Sequence, residues 1–205
     1  KTMAEMGWAG IVIPEKFGGS DFGWLSLGLV LEETAKTLTA SPLASSALAA
    51  SALVLGGSDG AKAAWLPKLA SGEVIGTLAI DEGPRHNPAA IATTATKAGD
   101  GWTLSGTKAF VHEAHGAALF IVAAQTEGGV GVFAVPADAA GLSLATRKLT
   151  DSRSHAHVTL ANVKVGADAY LGGSDLLDRL LDRARIVTAA EMLGLAEHGC
   201  GVSLD

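Results

Sequence analysis

The chain has 205 residues, 48% of them apolar and 5% aromatic, and a net charge of −6; that length is enough for one large domain or two modest ones with a real core built from Ala, Leu and Val. The basic residues are scattered, which argues against a nucleic-acid surface, and no apolar run approaches the roughly 18 residues of a membrane span. The first six residues lack the apolar stretch of a signal peptide, and the single cysteine, Cys200, cannot close an intrachain disulfide, so a reducing, cytoplasmic setting is expected.

Met3 to Gly7 reads as the tail of a helix closed by Gly7, and Trp8 to Pro14 as a short extended connector. Ser20 or Asp21 is the expected cap of a helix over Trp24–Leu38, whose apolar positions Leu27, Val30, Leu31, Thr34 and Leu38 recur at helical spacing. Ser41-Pro42 interrupts it. Leu43–Leu55 is Ala-rich and apolar on nearly every side, the pattern of a buried helix. Ser58 or Asp59 caps a shorter helix ending near Leu69.

A β region follows. Val74–Ile80 is a short apolar run, and the Gly83-Pro84 and Asn87-Pro88 pairs break the chain after it. Ile91–Ala98 and Trp102–Val111 alternate around an Ala98-Gly-Asp-Gly101 turn, and Gly128-Gly129 joins Ala117–Gln125 to Val130–Pro136 as a hairpin. Gly141–Leu149 and His155–Val165 are further strands, the second with a change of face near Asn162. From Leu176 a long helical pattern places Leu177, Leu180, Leu181, Ala184, Val187, Glu191 and Leu195 on one side. It is still running at Leu204 with no stop signal, so the chain is expected to continue. Helices, then strands, then a helix read as α+β with separate subdomains, and several short strands at close spacing suggest a small barrel or sandwich.

Short motifs carry little chemistry by themselves. Gly129-Val-Gly-Val-Phe-Ala134 fits a dinucleotide fingerprint, but a strand pattern and Pro136 follow where that fingerprint needs a helix. His112-Glu-Ala-His115 is one residue short of a metalloprotease helix motif. His155-x-His157 puts two imidazoles on one strand face without a third ligand and reads as solvated surface, so no metal site is expected. Cys200 lies about 200° around a helix from His198, and no Ser sits in a nucleophile elbow.

Longer stretches say more. Gly7-Trp-Ala-Gly-Ile-Val-Ile-Pro-Glu-Lys-Phe-Gly-Gly19, Trp65-Leu-Pro-Lys-Leu-Ala-Ser-Gly-Glu73, Leu104-Ser-Gly-Thr-Lys-Ala-Phe110, Val135-Pro136 to Gly141, Asp151-Ser-Arg153 and Asn162-Val-Lys-Val165 resemble, in order and spacing, segments of the acyl-CoA dehydrogenase family. The resemblance covers essentially the whole chain and implies an N-terminal helical domain (1–73), a β-barrel-like middle domain (74–172) and the first helix of a C-terminal helical bundle (173–205). It implies bound FAD, an acyl-CoA substrate oxidised to the trans-2-enoyl-CoA, an electron-transfer flavoprotein or similar acceptor, and a homo- or hetero-tetramer acting in fatty-acid or lipid degradation. The flavin carries the redox chemistry, while a carboxylate takes the α-proton of a thioester whose carbonyl is polarised.

Carried over residue by residue, the resemblance places Ile80, Asp81, Phe110 and His112 at the cofactor and His86 and Arg185 at the substrate. It also exposes departures. The family's T-E-P-x-A-G-S-D turn becomes Ile80-Asp-Glu-Gly-Pro-Arg-His-Asn87, so the Thr, Pro and Ser of the pattern become Ile80, Glu82 and His86. Its W-[IV]-[TS]-N turn becomes Phe110-Val-His-Glu113. Phe110 keeps an apolar plate, and His112 replaces a small hydroxyl with a ring that either donates to the flavin or faces water. One branch of the family carries its catalytic Glu just before a helix Arg that matches Arg185. Here that position is Ala184, so no catalytic base is expected within residues 1–205, and Arg185 either approaches the substrate or pairs, buried, with an acidic neighbour. The departures leave a second reading open: a non-catalytic or half-catalytic subunit of a heteromeric acyl-CoA dehydrogenase. A third, outside the family, is a ligand-binding β-barrel with helical flanks.

Overall fold

The computed structural model describes residues 2–150 and 153–204. Its sheet has eight strands: β1 (Ile75–Ala79), β2 (Thr94–Ala98), β3 (Gly101–His112), β4 (Ala117–Thr126), β5 (Gly129–Pro136), β6 (Leu142–Lys148), β7 (Ser154–Val165) and β8 (Tyr170–Gly172). They run in the order β6-β7-β3-β2-β4-β5-β8, and β1 pairs parallel with β4 outside that path. The β2–β4 join is a single pair, Thr94 with Gln125. On either side of it the two halves of the sheet fold toward each other. Leu104, Val111, Val158, Leu160 and Val163 from β3 and β7 share one core with Phe120, Val122, Phe133 and Val135 from β4 and β5.

Strand β4 explains why its sequence is apolar throughout. Phe120, Val122 and Ala124 enter that inter-sheet core, while Leu119, Ile121 and Ala123 face the helices. A strand buried on both faces shows no alternation. The helices against it are α3 (Leu43–Gly56), α4 (Asp59–Ala70) and the start of α5 (Ser174–Leu204), with α1 (Thr2–Glu5) and α2 (Gly23–Ala35) beyond. Helix α3 is buried from Ser46 to Leu53, as its all-round apolar sequence requires. Ser58 Oγ accepts the Ala61 N–H at 3.1 Å and caps α4.

Helices α2 and α5 cross closely. Leu27 and Leu31 pack with Val187, Leu43 and Leu48. Gly194 is the point of nearest approach, since a Cβ there would stand 2.0 Å from the Glu32 carbonyl oxygen. Lys36 bridges Glu197 at 2.8 Å across the same crossing.

The α+β class holds, and several local expectations are corrected. Trp8–Pro14 is not extended. Gly7 closes α1 as expected, at φ 80°, but the chain then goes straight into a 3₁₀ turn over Trp8–Gly10, continued by Ile13 N–H donating to Gly10 O at 3.0 Å. Neither Ser20 nor Asp21 caps α2. The helix starts at Gly23 without a side-chain cap, and Gly23 N–H donates to Ile11 O. Leu38 lies past the helix end at φ 51°, exposed rather than on the buried stripe, and Leu195 on α5 is likewise exposed. Tyr170–Gly172 adds a short strand against β5. The change of face near Asn162 is real: Asn162 has φ 54°, and Leu160 and Val163 are both buried.

Candidate active site

The site forms where the ends of β1 and β3 meet α3 and α5. Beyond β1 the chain enters the turn Ile80–Asn87, which is held by its own two carboxylates. Asp81 Oδ2 lies 2.8 Å from His86 Nδ1, and Asp81 Oδ1 accepts the Asn87 N–H at 2.9 Å. Glu82 reaches in the opposite direction and accepts the N–H groups of Ala92 and Thr93 at 2.7 and 2.9 Å.

The third partner of Glu82 is Lys108 on β3, with Nζ 2.6 Å from Oε1; the same ammonium donates to Ile80 O at 3.0 Å. The Lys108 side chain is fully buried. Burial opposes the Glu82 charge, but the hydrogen bonds from Lys108 and from Thr93 and Ala92 outweigh it and pull the carboxyl down to about 2. Burial likewise pushes the Lys108 ammonium below its usual range, against the pull of Glu82. The pair fastens β3 to the turn, as does Ala109 N–H donating to Asp81 O at 2.7 Å.

Just beyond Lys108, β3 bulges. Lys108 pairs with Val158 and Val111 with Ala156, so Ala109 and Phe110 together oppose His157. Phe110 takes φ 51°, which turns its ring out of the sheet while Val111 returns to the core. Bulges of this kind re-aim side chains. The strand end is fixed by Thr77 Oγ1 donating to His112 O at 2.6 Å and by Glu113 N–H donating to Ser154 O at 2.6 Å. Phe110 packs edge-on against His157, with ring centroids 5.2 Å apart, and the His112 and His155 rings lie 4.4 Å apart. His155 is buried, contrary to the reading of His155-x-His157 as solvated surface, because the register sets it directly beside His112. Among the described residues no group of three or more His, Cys, Asp or Glu is arranged to hold a metal ion.

These features open onto a cleft of about 670 Å³, within the usual range for small-molecule and cofactor sites. All six residues singled out from the sequence line it: Ile80, Asp81, His86, Phe110, His112 and Arg185. Ala44, Ser45 and Leu48 of α3 form one side, and Leu181, Ala184 and Met192 of α5 another. Arg185 is an exposed residue on the cleft rim, paired with Asp182 one turn away, not a buried ion pair. The cleft carboxylates are engaged: Asp81 by His86 and Asn87, and Glu191 by Arg153 at 3.3 Å. Of the Asp151-Ser-Arg153 segment, Asp151 and Ser152 lie outside the described residues. Beneath the rim, Arg183 lies 4.8 Å over the Trp24 ring and donates to Ser51 Oγ. Burial and the charge of Arg179 lower its proton affinity.

Sequence reading missed Glu82 as a partner of Lys108, and the buttressing of the strand end by Thr77 and His155. The available signal was Lys108 within a strand pattern, since a lysine must find an anion once buried.

The acyl-CoA dehydrogenase N-terminal domain matches residues 1–73 and the acyl-CoA dehydrogenase middle domain residues 79–163. The human mitochondrial short-chain specific acyl-CoA dehydrogenase is 30% identical over 96% of this chain and 52% of its own length. The ChsE4–ChsE5 complex from Mycobacterium tuberculosis superposes with a TM-score of 0.91 at 31% identity, covering 99% of this chain and 55% of the other. A glutaryl-CoA dehydrogenase from Mycobacterium smegmatis in complex with FADH2 gives 0.88 at 28% identity, with 97% and 54% coverage. The chain belongs to the acyl-CoA dehydrogenase family, and it spans about half the length of the relatives it matches.

Proposed function

We propose that this chain supplies the N-terminal domain (1–73), the middle domain (74–172) and the opening helix of the C-terminal domain (173–205) of an FAD-dependent acyl-CoA dehydrogenase, which converts an acyl-CoA thioester to the trans-2-enoyl-CoA. The observation that carries the reading is the convergence of Ile80, Asp81, His86, Phe110, His112 and Arg185 on one cleft.

The residues present fit a flavin. Phe110 offers an apolar plate turned out of the sheet by the bulge, His112 a ring N–H donor, and Ile80 an apolar wall. The chemistry that FAD supplies when bound is acceptance of a hydride from the thioester β-carbon. The chain's own contribution is to bind, orient and exclude water. The Glu82–Lys108 pair and the Asp81–His86 contact hold the turn under the cofactor, while Leu48, Leu181, Ala184 and Met192 line a path for the acyl chain. Arg185 stands on the rim with His86, where substrate polar groups enter. Both cleft carboxylates are paired and Ala184 cannot take a proton, so we assign no catalytic base within residues 1–205. The reading includes a cytoplasmic location, an electron-transfer flavoprotein or similar acceptor, and a homo- or hetero-oligomeric enzyme.

A second reading, a half-catalytic subunit of a heteromeric enzyme, is favoured by the replaced turn at Ile80–Asn87 and by the likeness to the ChsE4–ChsE5 complex. Purification of the full-length protein alone and with a neighbouring family member separates the two. Flavin absorbance and enoyl-CoA formation by the protein alone support the first. Colour and turnover only on co-expression support the second, and a colourless, inactive protein in both arms overturns both.

A further inference from the structure

The cleft face of the sheet carries two rows of rings. Phe110 and His112 on β3 border the cleft. Behind them on β7 lie His157 and His155, two residues apart and therefore on the same strand face. Each front ring touches one back ring: Phe110 touches His157 edge-on at 5.2 Å, and His112 touches His155 at 4.4 Å with the planes tilted by 59°. The back row does not border the cleft. His155 is 2% exposed, in register with His112 on one side and Arg147 of β6 on the other.

The front row needs such support. Phe110 and Glu113 both have positive φ, so the strand end departs from regular pairing, and the main chain at His112 is pinned through its carbonyl by Thr77. The pin acts on the main chain and not on the imidazole. The ring packed against it is that of His155.

We propose that His155 is a positioning residue. Through ring contact it sets the orientation in which His112 presents its N–H to the cleft, and the His155-x-His157 pair is thereby a back row of the cofactor site and not a metal ligand set. The inference rests on the reading of His112 as a donor to bound FAD, and the test distinguishes the two.

The full-length protein is stripped of flavin and titrated with FAD, with affinity and the visible absorption envelope as readouts and thermal melting of the apo form as the folding control. His112→Ala is expected to weaken FAD binding and alter the envelope. His155→Leu is expected to weaken FAD binding about tenfold, as loss of a supporting residue typically does, and the double variant is expected to be no weaker than His112→Ala alone. His155→Phe, which retains a buried ring, is expected to keep wild-type affinity and remains the deciding variant if His155→Leu does not fold. Wild-type binding by His112→Ala overturns the underlying reading and the proposal with it. If His112→Ala weakens binding, then a folded His155→Leu protein with wild-type affinity, additive losses in the double variant, or a folded His155→Phe protein with weakened binding overturns the positioning role alone.

Discussion

Lys108 and Glu82 form a 2.6 Å ion pair in which the lysine side chain is wholly enclosed and the glutamate partly exposed. One carboxylate thereby joins strand β3, the turn after β1 and the approach to β2, because it also accepts the N–H groups of Ala92 and Thr93.

This pair makes stability depend on acid. The folded-state pKa of Glu82, about 2, lies below its ordinary value of 4.5. The contribution is therefore present in full above about pH 4.5 and is lost as pH falls toward 2. Discounted for partial exposure it amounts to about 2 kcal/mol. Glu82→Gln is expected to lose at least that much at pH 7, since it strands a buried ammonium, and to flatten the pH dependence between 4.5 and 2 in chemical denaturation. Adding Lys108→Met should recover part of the loss; a double variant less stable than Glu82→Gln contradicts this account.

The α2–α5 crossing gives a contrast between two glycines. Gly194→Ala places a methyl group within 2.0 Å of a backbone oxygen that cannot move aside cheaply and is expected to destabilise by about 1–3 kcal/mol. At Gly28 the nearest atom to an added Cβ is 3.9 Å away. Gly28→Ala should be neutral or stabilise by up to about 1 kcal/mol through helix propensity. Thermal melts of the two variants test the pair of statements together.

Phe110 separates backbone conformation from ring function. Its φ of 51° is unfavourable for an aromatic residue and easy for glycine. Phe110→Gly is expected to relieve about 1 kcal/mol of backbone strain, offsetting the loss of a ring that is already more than a third exposed. The melting temperature should shift by only a few degrees, while FAD affinity of the full-length protein falls. Unchanged affinity in the titration removes Phe110 from the site.

Ser58 is the side-chain cap of α4. Ser58→Ala should cost about 1 kcal/mol, and Ser58→Asp should recover most of it, because a carboxylate accepts the same Ala61 N–H. Denaturant midpoints at constant slope read this directly.

Much of the architecture was legible because burial leaves a pattern. Helix α3 is apolar all round and enclosed, β4 is apolar throughout and covered on both faces, and the outlier Asn162 marks where β7 changes face. The connector at Trp8–Pro14 was not legible, since a single 3₁₀ turn leaves no repeat to count. The site was legible only as positions. Alignment with family motifs brings Ile80, Phe110 and His112 into view, but the Glu82–Lys108 bond spans 26 positions and no local pattern records it. His155 was misjudged for a similar reason. Alternation correctly set it on the outer face of β7, yet at that end the outer face is covered by the ring of His112.

The contact of Glu32 with Gly194 also bears on how the protein is made. Leu27 and Leu31 find their cover partly in Val187, so helix α2 completes its packing only when α5 arrives. At a ribosome adding about 5–20 residues per second, some 10–30 s separate the emergence of α2 from that of α5. Through that interval the part of the α2 stripe that faces Val187 lacks its cover, while Leu43 and Leu48 of α3 are already at hand. Helix α2 is thus early in sequence and late to be fully covered.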